Sequence, residues 1–140
     1  MNYYKFLSKD YEALNPKDVI FKQKNFFKEI IKTFSIKTCL DSACGIGWHL
    51  YMLDDLGLKC YGSDLSSEML ALARKNTKRK DILYQEGDYR FLNKFWDIKF
   101  DMIICMSNSI RHMLGKDEVV QAFNSMYEML NKDGILVIDN

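Results

Sequence analysis

Leu40-Asp41-Ser42-Ala43-Cys44-Gly45-Ile46-Gly47 reads as the end of an apolar strand, a carboxylate, a glycine turn and the start of a helix. Two glycines let the backbone bend sharply and approach a ligand that a Cβ would hold off. Ile46, Leu50, Leu53 and Gly57 fall on one helical face, so a helix is predicted from Trp48 to Leu56, stopping at Gly57 and burying that stripe against a sheet. Strand, glycine turn and helix, in that order, outline a pocket for a nucleotide-bearing cofactor.

Such turns are common, and the full G-x-G-x-x-G is absent because Leu50 holds the third glycine position. The carboxylate discriminates better. Asp41 at this turn would repel a pyrophosphate but favour a cofactor carrying an ammonium and a sulfonium. A nicotinamide dehydrogenase is therefore disfavoured on two counts.

On the N-terminal side, Asn15-Pro16 predicts a helix start, with Asn15 as cap, Pro16 at the first helical position and Asp18 in the first turn. Val19, Phe26, Phe27, Ile30, Ile31 and Phe34 mark its apolar face, and the helix is expected to run to about Thr33. On the C-terminal side, Leu58 to Ser63 is a strand ending at Asp64, and Ser66 caps a helix that turns Met69, Leu72 and Ala73 inward. Ile82-Leu83-Tyr84 before Gly87-Asp88 is a third strand. Phe100 to Met106, the most continuously apolar run, is a fourth, buried on both faces of a parallel sheet. Val119, Phe123, Met126, Tyr127 and Leu130 mark a further helix, Asn131-Lys132-Asp133-Gly134 a turn, and Ile135 to Ile138 a fifth strand. Alternating strands and helices specify a doubly wound α/β sheet.

The chain of 140 residues, 48% hydrophobic, is one domain, residues 1–140, with an N-terminal helical segment over residues 1–35. A net charge of +1 supplies no field for nucleic acid or an anionic membrane, and Lys78-Arg79-Lys80 is expected to be a solvated helix end. No apolar run approaches the roughly twenty residues that span a bilayer, and no basic-then-apolar leader follows Met1, so a cytoplasmic protein without membrane partners is expected. Cys39, Cys44, Cys60 and Cys105 form no C-x-x-C pair and are expected to be reduced, buried and free of metal.

Three acids stand at successive strand ends: Asp41, Asp64 in Tyr-Gly-Ser-Asp-Leu-Ser-Ser-Glu-Met-Leu, and Asp88 in Glu-Gly-Asp-Tyr. In open α/β sheets ligands bind beyond the carboxyl ends of the strands, so the three would converge on one crevice. From about Lys37 to Asp139 this pattern resembles the class I, Rossmann-like S-adenosylmethionine-dependent methyltransferases. The resemblance implies a three-layer sandwich of about five parallel strands with helices on both faces. It also implies an enzyme that takes S-adenosylmethionine, leaves S-adenosylhomocysteine and methylates a small molecule. By the same resemblance Asp41, Ala43, Gly45 and Gly47 would surround the methionine part of the cofactor, with Ala43 in place of the family's commoner glycine. Asp64 would accept the two ribose hydroxyls and Leu65 would lie against the adenine. Asp88 would take the adenine amino group, with the Tyr89 backbone at the ring edge.

Ile104-Cys105-Met106-Ser107-Asn108-Ser109-Ile110-Arg111-His112 is similar to the segment after the fourth strand in glycine and sarcosine N-methyltransferases, with Ser107 in place of a glycine. This implies that Met106 lines the cofactor and that Asn108 and His112 border the methyl-transfer cavity, with an amine such as glycine or sarcosine as acceptor. Tyr11 would be a lid over the cofactor, while Tyr3 and Tyr4 dock the N-terminus. His49 is expected to be structural, and Trp48 either borders the pocket or packs its helix. Asp139-Asn140 resembles the magnesium-binding pair of catechol-type O-methyltransferases. Ser107 stands where the matching acid would be, so no metal is expected.

The resemblance implies further strands 6 and 7, and with its fifth strand closing near residue 140 this chain is expected to lack them. It is then either a fragment or a minimal domain, its open sheet edge covered by a homodimer partner or by a missing C-terminal segment. A non-catalytic cofactor-binding subunit is the alternative to an active enzyme.

Overall fold

The computed structural model describes residues 16–106, 109 and 115–139. Five parallel strands form one sheet: β1 (Thr38–Asp41), β2 (Lys59–Asp64), β3 (Ile82–Glu86), β4 (Phe100–Cys105) and β5 (Leu130–Ile138). Their order is β3-β2-β1-β4-β5, so the winding reverses between β1 and β4. Asp41, the last residue of β1, therefore stands at the switch point where ligands enter such sheets.

Strand parity sorts the core into two layers, since successive side chains point to opposite faces. Cys39, Cys60, Met102 and Ile104 face α2 (Lys24–Phe34), α3 (Trp48–Asp55) and α4 (Ser67–Asn76). Leu40, Ile103 and Cys105 face a 3₁₀ helix (Tyr89–Lys94) and α5 (Lys116–Glu128). β4 is buried along both faces, as its continuous apolar run predicts. The four cysteines are buried and free. Ser66 caps α4, its hydroxyl accepting from the Met69 amide.

Several expectations are corrected. The N-terminal helix is two helices, α1 (Lys17–Phe21) and α2, broken at Lys22-Gln23, and the cap of α1 is Pro16. No helix breaker stands at the break. Docking imposes it: Gln23 Oε1 meets His49 Nε2 at 2.8 Å, and Phe21 stacks on Tyr51 of α3. The expected apolar face follows suit, for Ile20 and Phe27 are buried whereas Val19, Phe26 and Phe34 are exposed. Leu72 is only half-buried, and Leu70 takes the inward position beside Met69 and Ala73.

On α5 the inward side chains are Ala122, Ser125 and Met126, leaving Phe123 and Tyr127 exposed. β5 begins at Leu130, before the expected turn. Residues 131–134 form an excursion within it: Phe100 pairs with Leu130, Met102 with Ile135, and Asp133 has φ 63°. Lys80 is not a solvated helix end, since its ammonium pairs with Asp54 and Asp55 of α3.

Candidate functional site

The crevice lies beyond the carboxyl ends of β1, β2 and β3, where the glycine turn folds back over Asp64. Gly45 and Gly47 have φ 54° and 89°, a left-handed backbone that a Cβ would strain. Asn76 of α4 donates to the Ile46 carbonyl at 2.9 Å and the Cys44 amide bonds the Ser63 carbonyl at 2.9 Å, so the turn is braced from both sides.

Asp64 is held by the main chain: its Oδ2 accepts the Gly45 amide and its Oδ1 the Ser66 amide, each at 2.9 Å. Burial raises its pKa, and the amides of Ser66, Gly45 and Leu65 pull the other way. Leu65, next in the chain, is exposed.

Asp41 is almost fully buried, and its hydrogen bond among the described residues is a long one from the Ala43 amide, 3.4 Å. Burial pushes this carboxyl up to about 8; the Ala43 amide opposes the shift, while the charges of Asp64 and Asp139 add to it. A carboxyl in this state is poised to ionise when a cation arrives. Asp139, just past β5, is a member of this acidic group that its place in the sequence did not reveal, because there it reads as half of a metal pair. Among the described residues no group of three metal-binding side chains is assembled.

Asp88 caps the 3₁₀ helix, accepting the Arg90 amide at 2.8 Å, and its two oxygens are gripped by the Arg90 guanidinium. Burial would raise its pKa, but the Arg90 bonds and charge outweigh that and hold it low. Arg90 is a second residue the motifs did not single out; the Asp88-x-Arg90 spacing at a helix cap was the available signal. Tyr89 is buried, and its hydroxyl donates to the Ser109 carbonyl at 3.1 Å. Ser109 in turn donates to the Met106 carbonyl through both its amide and its hydroxyl. The β3 loop is thus tied to the segment after β4, and Met106 is buried at its root. Asn108, His112 and Tyr11 lie outside the described residues, as do Tyr3, Tyr4, Ser107 and Asn140.

Trp48 packs with Ile20, Ile46 and Met69, and the Lys17 ammonium sits 4.7 Å from its ring centroid. His49 is buried and bonded to Gln23, and burial lowers its pKa to about 4, against the charge of Asp139.

Residues 39–134 match the family model described as a methyltransferase domain. The chain belongs to this family. This methyltransferase domain is 33% identical over 118 residues to a glycine/sarcosine N-methyltransferase of Parasynechococcus marenigrum, covering 83% of this chain and 42% of that protein. It is also 33% identical to the glycine/sarcosine N-methyltransferase of Aphanothece halophytica, over 81% of this chain and 44% of the relative. The methyltransferase domain thus spans less than half the length of these curated relatives. Among solved structures, it superposes with a TM-score of 0.82 on an amino pentose methyltransferase of Micromonospora echinaspora, solved with S-adenosylmethionine bound. That match has 24% identity and covers 91% of this chain and 54% of that one. An S-adenosylmethionine-dependent methyltransferase of Clostridium acetobutylicum gives 0.81 at 25% identity, covering 98% and 57%. The Rossmann-like fold expected from the strand-end acids is the fold of this methyltransferase domain.

Proposed function

We propose that the chain is the S-adenosylmethionine-binding part of a methyltransferase acting on a small-molecule amine. The observation that carries this reading is the buried Asp41 at the switch point, facing Asp64 and Asp139 with no cation among the described side chains to meet it. A carboxyl so placed gives up its proton to meet an ammonium or a sulfonium, and a pyrophosphate offers it no such partner. The residues fit the cofactor: Asp41, Ala43, Gly45 and Gly47 would hold its methionine end. Asp64 would accept a pair of ribose hydroxyls with the lone-pair capacity its backbone amides leave. Exposed Leu65 offers an apolar surface to the base, with Asp88 and the Tyr89 backbone at the base edge and Met106 beneath.

When bound, S-adenosylmethionine supplies a methyl group already activated on sulfur, so the protein mainly aligns acceptor and donor. Asn108 and His112 would border the acceptor, the Asn108 carbonyl oxygen accepting from the amine and favouring its neutral, nucleophilic form. Tyr11 would cover the cofactor. Glycine or sarcosine as acceptor is supported by the names of the relatives and by the Asn108-Ser109 and His112 motif. A cytoplasmic location goes with this reading; no helix among the described residues is long and apolar enough to cross a membrane.

A second reading is a cofactor-binding piece whose acceptor pocket is supplied elsewhere, by further chain or by a second subunit along the β5 edge. It draws support from the coverage, under half of the curated relatives. Calorimetric titration with S-adenosylmethionine and S-adenosylhomocysteine tests the cofactor: both should release heat and raise the melting temperature. A folded sample that responds to neither overturns the proposal. Methyl transfer to glycine or sarcosine by the 140-residue chain, followed by mass spectrometry, separates the two readings.

A further inference from the structure

The Arg90–Asp88 pair is more elaborate than capping a 3₁₀ helix requires. The Arg90 amide donates to Asp88 Oδ1 at 2.8 Å, Nε lies 3.1 Å and 3.0 Å from Oδ1 and Oδ2, and Nη2 donates to Oδ2 at 2.6 Å. A carboxylate offers about four lone-pair directions, and three N–H groups occupy all but about one. The guanidinium is itself held from behind: Nη1 lies 3.5 Å from Glu118 Oε1 on α5, and Cζ 5.4 Å from the centroid of the Phe91 ring. The Asp88 side chain is 12% exposed, so little of the carboxylate is left open beside the guanidinium.

We propose that Arg90 is a specificity-determining positioning residue, which clamps the Asp88 carboxylate so that one outward lone pair is left to demand an amino donor on the cofactor's base. This rests on the crevice being an S-adenosylmethionine site. A carboxylate tied to a guanidinium stays ionised and can only accept hydrogen bonds. It welcomes the 6-amino group of adenine. Hypoxanthine presents a 6-oxo group, and two acceptors then face each other in a desolvated place, the arrangement that polar sites reject most strongly. Without the clamp, Asp88 can rotate, take up a proton and donate, and the distinction between amino and oxo fades.

The test compares S-adenosylhomocysteine with S-inosylhomocysteine, which differ in the 6-substituent and in the proton that hypoxanthine carries on N1, by calorimetry on the 140-residue chain and on Arg90→Gln and Arg90→Lys, with melting curves as the folding check. The unsubstituted chain should prefer the adenine ligand on the order of a hundredfold. Arg90→Gln should bring that ratio below about tenfold, and Arg90→Lys, which keeps the charge but loses the fork, should fall between. If Arg90→Gln does not fold, the Arg90→Lys ratio decides. A brace with no part in recognition would weaken both ligands equally and leave the ratio intact; that result overturns the inference. Equal binding of both ligands by the unsubstituted chain overturns it too while leaving the cofactor reading standing. Binding of neither removes both.

Discussion

Asp64 and Asp88 occupy corresponding places, one at the end of β2 and one just past β3, yet the chain treats them in opposite ways. Asp64 is held by backbone amides and its pKa is raised by burial. Asp88 is held by a guanidinium and its pKa is lowered. The β1–β2 half of the crevice is thus built from main chain and carries uncompensated acid, whereas the β3 half is a neutralised ion pair. A cation is wanted on the first side and a neutral hydrogen-bond donor on the second. Strand-end acids that look alike in sequence are therefore not interchangeable parts of one site.

Removing Asp64 should break the first half most severely. Asp64→Ala loses the acceptor for paired hydroxyls and also frees the Gly45 amide. Affinity for S-adenosylhomocysteine should fall by about 1.5–3 kcal/mol, measured by calorimetry. An unchanged affinity would mean that Asp64 serves only to brace the turn.

The next effect is protonic. With its folded pKa near 8, Asp41 is largely protonated at pH 7, and a bound ammonium or sulfonium favours the ionised form. Binding should then expel close to one proton at pH 7, seen as a dependence of the heat on the ionisation enthalpy of the buffer. Affinity should rise by up to about tenfold per pH unit below 8 and level off above it. Asp41→Asn should abolish the proton release. The same raised pKa sets the sign for stability without ligand. The fold's advantage from Asp41 is complete below the unfolded value near 3.8 and is lost as pH rises through about 8.

The smallest effect belongs to the second half. Asp88→Ala removes a 3₁₀-helix cap and a partly exposed ion pair, which should lower stability by about 1 kcal/mol in chemical denaturation. A loss as large as that of a core cavity would show that the pair holds α5 in place and is not chiefly a recognition element.

The order of the five strands and of the α-helices between them was legible from β1 onward because each β strand is a short apolar run bounded by a turn, and each of those helices carries a stripe; the 3₁₀ helix between β3 and β4 was not. The glycine turn was legible because its left-handed φ values at Gly45 and Gly47 demand glycine locally. Which face of the outer helices is covered was not. Phe26, Phe123 and Tyr127 sit at helical spacing in apolar stripes and are nevertheless exposed, since periodicity marks a candidate face and only packing selects the covered part. The break between α1 and α2 was hidden for a related reason: it comes from Gln23 meeting His49, a contact across 26 positions.

The amino-acid order thus carries what depends on neighbours in the chain: element type, turn chemistry, the Ser66 cap and the appearance of an acid at each of three strand ends. The charge state and task of those acids depend on what lies beside them in space. The turn at Asp41 to Gly47 is local, but the rise of Asp41 to about 8 needs its burial and the carboxylates of Asp64 and Asp139, brought together by the strand order β2-β1-β4-β5. Electrostatic energy follows distance and desolvation and not sequence separation, so it is fixed only once the sheet has closed.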